Sequence, residues 1–130
     1  MVDKIKVAIL GMGNIGQEFA EHLLARIQEG GMPIEIVGVA HRHLNSPIML
    51  GFKQTGVPVF EDALDIVNLG ESVDIIFDLT GNAKTRQNLR ECLQQSGNRH
   101  SVIAPETFAR LLWCFFDTDN TVLAAASGGY

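Results

Sequence analysis

The chain has 130 residues, enough for one domain with a single core. Hydrophobic residues make up 46% and charged residues 19%, a balance that excludes disorder. A net charge of −5 argues against the basic face that sequence-independent nucleic-acid binding needs, and no apolar run is long enough for a membrane span.

Met1-Val2-Asp3-Lys4 leads straight into a strand pattern with no apolar signal region, so a cytoplasmic setting is expected. The first strand is expected over Ile5 to Leu10, where apolar residues follow one another after Lys6, as in a strand buried on both faces. A helix is expected near Asn14 to Gln28, with Ile15, Phe19, Leu23 and Ile27 on one stripe and Gly30-Gly31 at its end. Ile34 to Ala40 forms the second strand, Pro47 to Gln54 a short helix and Val57 to Phe60 a short strand. Glu61 to Leu69 reads as a helix with Ala63, Leu64 and Val67 inward and Gly70 as its stop.

Val73 to Leu79 is the next core strand. A helix follows at Ala83 to Gln95, its apolar side made by Leu89, Cys92 and Leu93. His100 to Ala104 is another strand, and Pro105 suits the first turn of a helix reaching about Phe116. Thr121 to Ala126 reads as a last strand or the start of a further segment. The alternation predicts an α/β fold, a doubly wound parallel sheet in three layers (α/β/α), over residues 1–126, with 127–130 as a tail or linker stub.

Gly11-Met12-Gly13-Asn14-Ile15-Gly16 lies between the first strand and the first helix. In that context G-x-G-x-x-G is a dinucleotide-binding fingerprint. Gly11 serves the turn, Gly13 the approach of a pyrophosphate and Gly16 the helix–strand contact, while the backbone amides of Gly13, Asn14 and Ile15 face the phosphates at the positive helix end. An NAD-preferring site carries a carboxylate at the end of the second strand. His41-Arg42-His43 stands there instead, with no carboxylate at that spot. Either His41 and Arg42 meet a 2′-phosphate, favouring NADP over NAD, or the site takes a different nucleotide altogether, or Arg42 is a solvated loop residue.

Thr80, Gly81 and Asn82 come after the third long strand, at the end where ligands of open sheets bind. They are cofactor candidates, and Asn82 is equally suited to capping the next helix. Asp78 falls in an apolar strand and needs local backbone partners or a place at the cleft mouth. Cys92 and Cys114 lack C-x-x-C spacing and read as small core residues. His22, His41, His43 and His100 lack the third ligand a metal site requires.

The last helix is apolar on two sides, with Phe108, Leu111, Leu112 and Phe115 on one and Ala109, Trp113 and Phe116 on the other. Trp113 and Phe116 are expected to pack against a second copy in a homodimer, a following domain, or the final strand.

The stretch Lys6-Val7-Ala8-Ile9-Leu10-Gly11-Met12-Gly13-Asn14-Ile15-Gly16, with Val73-Asp74-Ile75-Ile76-Phe77-Asp78, resembles acylating acetaldehyde dehydrogenases. Leu79-Thr80-Gly81 resembles the corresponding strand end of homoserine dehydrogenases. Both resemblances imply an NAD(P)-binding Rossmann domain over about the first two-thirds of the chain. Asn45-Ser46-Pro47-Ile48-Met49, Thr55-Gly56-Val57-Pro58-Val59-Phe60, Leu79-Thr80-Gly81-Asn82 and Ala109-Arg110-Leu111-Leu112-Trp113 are similar to the Rossmann module at the front of some bacterial sensor histidine kinases. The departure is His41, where those modules usually carry an acidic residue.

Three functions are compatible with these residues. One is a nucleotide-binding sensory or regulatory module without catalytic residues of its own. Another is the cofactor-binding piece of an NAD(P)-dependent oxidoreductase whose acid, base or nucleophile lies on another domain. The third is an assembly domain with a vestigial glycine loop.

Overall fold

The computed structural model describes residues 3–116, the side chains of Asn14 and Phe116 excepted. The expected last strand at 121–126 and the tail at 127–130 lie outside the described residues. In chain order the elements are β1 (Ile5–Leu10), α1 (Asn14–Glu29), β2 (Ile34–Ala40), α2 (Pro47–Gln54), β3 (Val59–Phe60), a 3₁₀ segment (Ala63–Ser72), β4 (Ile75–Asp78), α3 (Ala83–Gln95), β5 (Val102–Pro105) and α4 (Glu106–Phe116). The five strands form one sheet in the order β3-β2-β1-β4-β5, and every pairing is parallel.

Side chains of β1 alternate between the two faces. Val7 and Ile9 join Phe19, Leu23, Met49, Phe52, Phe77 and Ala109 in one core, beneath α1, α2 and α4. Ala8 and Leu10 join Ile66, Leu89 and Leu93 in the other, beneath the 3₁₀ segment and α3. A parallel sheet needs both faces covered, which explains why its strands read as continuous apolar runs. The Phe19 and Phe77 rings meet at 4.9 Å between centroids. In β2, Val37 is passed over in the pairing with β1, and this bulge puts Ile36 and Val39, three residues apart, on the same face.

Several expected boundaries move, most of them for a local reason. The strand expected from Val57 starts at Val59, because Pro58 has no N–H to give and only its carbonyl is used, by Val39. The helix expected over 61–69 is a 3₁₀ segment over 63–72, capped by Asp62 and broken at Gly70. Asp65 and Asn68 weaken an α-helix there by competing for backbone groups. Ile66 is its fully buried residue, with Ala63, Leu64 and Val67 half-buried. The strand expected over 73–79 is confined to 75–78. The strand expected from His100 starts at Val102, because the Asn98 side chain accepts from the amides of His100 and Ser101 and holds them out of the ladder.

Pro105 closes β5 opposite Asp78 rather than opening α4. Cys92 is half-buried, whereas Cys114 is exposed and not a core residue. On α4, Ala109 is buried, Leu112 and Trp113 pack partly on the core, and the Trp113 ring lies 4.3 Å from that of His22 on α1. Among the described residues the open face is therefore the Phe108, Leu111 and Phe115 side, with Leu111 54% and Phe115 73% exposed.

Candidate functional site

β1 stands at the centre of the sheet, and strand order reverses beside it. The chain runs through β2 and β3 on one side and returns to β4 and β5 on the other. A crevice opens at the carboxyl ends of strands at such a switch point. Here it is a cleft of about 830 Å³, bordered by Gly11, Met12 and Gly13 after β1, by His41 and Arg42 after β2, and by Thr80 and Asn82 after β4. The tips of β1 and β4 are locked together, since the Leu79 amide donates to the Leu10 carbonyl at 2.8 Å.

The three glycines of the motif differ in what requires them. Gly11 has φ +92, and a Cβ there would lie 2.8 Å from the Thr80 backbone. Gly16 is packed so closely on that turn that a Cβ would meet the Gly11 carbonyl oxygen at 2.0 Å. Both serve the fold. Gly13 has ordinary extended angles, φ −71 and ψ −166, and a Cβ there would touch nothing within 4 Å. Neither backbone nor packing demands glycine at this position, and the space it leaves belongs to the cleft.

Gly13 is the N-cap of α1, with no side-chain cap and no acidic residue in the first turn. The opening amides of the helix have no partners within it, and they concentrate positive potential at the cleft. The residues at hand fit an anionic group such as a pyrophosphate. Ile15 and Gly16 belong to that first turn but do not border the cleft, and neither does Gly81.

On the β4 side, Asn82 caps α3 by accepting from the amides of Lys84 and Thr85 at 2.9 and 3.1 Å. It borders the cleft at the same time. Thr80 is held from below by Asp78, which is fully buried. One Asp78 oxygen accepts from the Thr80 hydroxyl at 2.7 Å and the Thr80 amide at 3.2 Å, and the other accepts from Arg86 Nε at 2.8 Å. Asp78 is thus local in its bonding and lies beneath the cleft rather than at its mouth. Arg86, eight residues on, carries no sequence signal except its place on the first turns of α3.

On the β2 side, burial holds the His41 imidazole below its ordinary pKa of 6.5, helped by the nearby charges of His43 and Arg42. Arg42 is exposed at the rim. Glu61, Asp62 and Asp65 border the same cleft. The end of β2 itself carries no carboxylate. β3 lies beside β2, and it delivers acidic groups that sequence distance conceals.

Residues 11–105 match the family described as homoserine dehydrogenase, NAD binding domain. The chain is similar to acetaldehyde dehydrogenase of Chloroflexus aurantiacus, 34% identical over 96 residues that cover 74% of this chain and 30% of that protein. The acetaldehyde dehydrogenase of Chloroflexus aggregans is 34% identical over 95 residues, 73% of this chain and 30% of that protein. The chain therefore spans about 30% of the length of these curated relatives. Among solved structures, S. aureus homoserine dehydrogenase at pH 6.5 superposes with a TM-score of 0.58 at 22% identity, covering 79% of this chain and 26% of that one. The same enzyme at pH 8.5 gives 0.54 at 18% identity, covering 83% and 33%. At such identities the likeness is one of fold. With a five-stranded parallel sheet, a glycine turn at its switch point and a family match across most of its length, the chain belongs to the homoserine dehydrogenase NAD-binding domain family and is an NAD(P)-binding Rossmann domain.

Proposed function

We propose that this chain is the cofactor-binding part of an NAD(P)-dependent oxidoreductase, with substrate-binding and catalytic groups supplied by a second domain, in a longer form of the chain or in a partner. The observation that carries this reading is Gly13, a cleft-lining glycine required by neither backbone nor packing, placed where the amides of α1 open. The family assignment favours it over the sensory module, which rests on sequence resemblance alone.

In this reading Gly11, Gly13, Asn14, Ile15 and Gly16 form the pyrophosphate turn, with backbone amides donating to the phosphate oxygens. Thr80, Gly81 and Asn82 border the sugar beyond β4, and His41 and Arg42 border the adenosine ribose beyond β2. When bound, the nicotinamide supplies hydride transfer. Arg42 can hold a 2′-phosphate and so admits NADP, with His41 beside it at the end of β2. The open Phe108, Leu111 and Phe115 face of α4 is the surface for the second domain or for a second copy of the chain. Among the described residues no helix is long and apolar enough to cross a membrane.

Calorimetric titration with NAD, NADH, NADP and NADPH tests the assignment. Gly13→Val is expected to weaken binding at least about tenfold by filling the approach to the pyrophosphate. Its fold should be intact, because nothing lies within 4 Å of the new Cβ. Arg42→Asp is expected to weaken NADP more than NAD, and an equal loss for both removes Arg42 from the 2′ position. Wild-type chain that binds none of the four would end the reading.

A further inference from the structure

β2 and β3 finish side by side. Val39 pairs with Val59 and Ala40 with Phe60, and the His41 amide donates to the Phe60 carbonyl at 3.0 Å. His41-Arg42 and Glu61 therefore leave the sheet from adjacent strand ends, about 4.8 Å apart in strand spacing. All three border the cleft that begins at Gly13.

The neighbouring carboxylate of Asp62 is already engaged, since one of its oxygens accepts from the Leu64 amide at 2.9 Å to cap the 3₁₀ segment. Glu61 is exposed and lies outside helix and strand. Neither its carboxylate nor the Arg42 guanidinium has an ion-pair partner among the described residues, and they do not pair with each other. Two opposite charges thus face one stretch of cleft without cancelling.

Their preferences conflict. A ribose diol offers O–H donors that a carboxylate accepts, whereas a 2′-phosphate carries only acceptors, is repelled by a carboxylate and is held by a guanidinium. We propose that Glu61 is a specificity-determining residue that binds the adenosine ribose hydroxyls of NAD from the β3 side, offsetting Arg42 so that the cleft takes both NAD and NADP. This rests on the dinucleotide reading above. It places the ribose carboxylate just past the end of β3, one strand beyond the usual position at the end of β2.

The test is calorimetric titration of the full 130-residue chain with NAD and with NADP, in wild type, Glu61→Gln and Glu61→Lys. Wild type is expected to bind the two within about tenfold of each other. Glu61→Gln should weaken NAD about fivefold and leave NADP equal or tighter, because a charge-assisted hydrogen bond is roughly twice as strong as a neutral one. Glu61→Lys should move the NADP-to-NAD affinity ratio further, by about tenfold more. As an exposed loop position, Glu61 should change the melting temperature by no more than about 2 °C in either variant. An unchanged NAD-to-NADP ratio in both variants overturns the proposal while leaving the dinucleotide reading intact. Failure of wild type to bind either dinucleotide overturns both.

Discussion

Asp78 shows how one buried residue can hold a cleft-lining loop in place. Its carboxylate has no exposed surface, yet both oxygens are partnered, one by Thr80 and one by Arg86. A buried charge is tolerated on those terms, and removing one partner leaves the other stranded. Arg86→Met is therefore expected to cost about 3 kcal/mol in urea denaturation. Adding Asp78→Asn should recover part of that loss, since an amide oxygen still accepts from Thr80 and no charge remains buried. Greater instability in the double variant would mean that Arg86 stabilises through its contacts rather than its charge. The need for a partner was legible from an aspartate in an apolar strand. The partner itself was not, because Arg86 lies on a polar helix face where any of several residues would satisfy the same pattern. Likewise the glycine motif was plain in the chain, but only packing separates Gly13 from the two glycines the turn itself needs.

At the level of elements, the helices with strong end signals appear where the chain predicts them. Pro47 opens α2, Asn82 caps α3 and Gly30 ends α1. The shifted elements are those whose ends depend on a side chain or a missing donor, as with Pro58 before β3 and Asn98 before β5. Asp74 does similar work where β1, β4 and β5 begin, accepting from the Lys6 amide at 2.8 Å and from the His100 ring at 2.5 Å. Those bonds, the Lys6 one foremost, hold its carboxyl below the ordinary 3.8. A carboxylate with a depressed folded pKa stabilises above its unfolded pKa and loses that contribution as pH falls through the folded value. Asp74→Asn is thus expected to lower the melting temperature near neutral pH, with the gap closing as pH drops below 3.8. A gap that persists unchanged in acid would assign the effect to hydrogen-bond geometry instead of charge.

Across the molecule, two surfaces arise from one topology. The switch of strand order at β1 makes the cleft, and at the end of the sheet α4 packs on β4, β5 and, among the described helices, chiefly on α1. Ala109 and Trp113 turn toward that partner, so Phe108, Leu111 and Phe115 face outward. Leu111→Glu should change stability by less than about 0.5 kcal/mol, since the side chain is 54% exposed. Sedimentation velocity is expected to show wild-type chain self-associating and this variant monomeric. A wild type that is already monomeric removes a second copy as the occupant of this face.

The chain alone determined the strand–helix alternation, the parallel three-layer sheet and the glycine turn, because each is written in contiguous residues through apolar periodicity, caps and spacing. Tertiary structure decided which charges share the cleft, which face of α4 is open and what holds Asp78. Those answers depend on pairs such as Ala40 with Phe60, brought together by strand order across some twenty residues of chain, and local pattern holds no record of that distance.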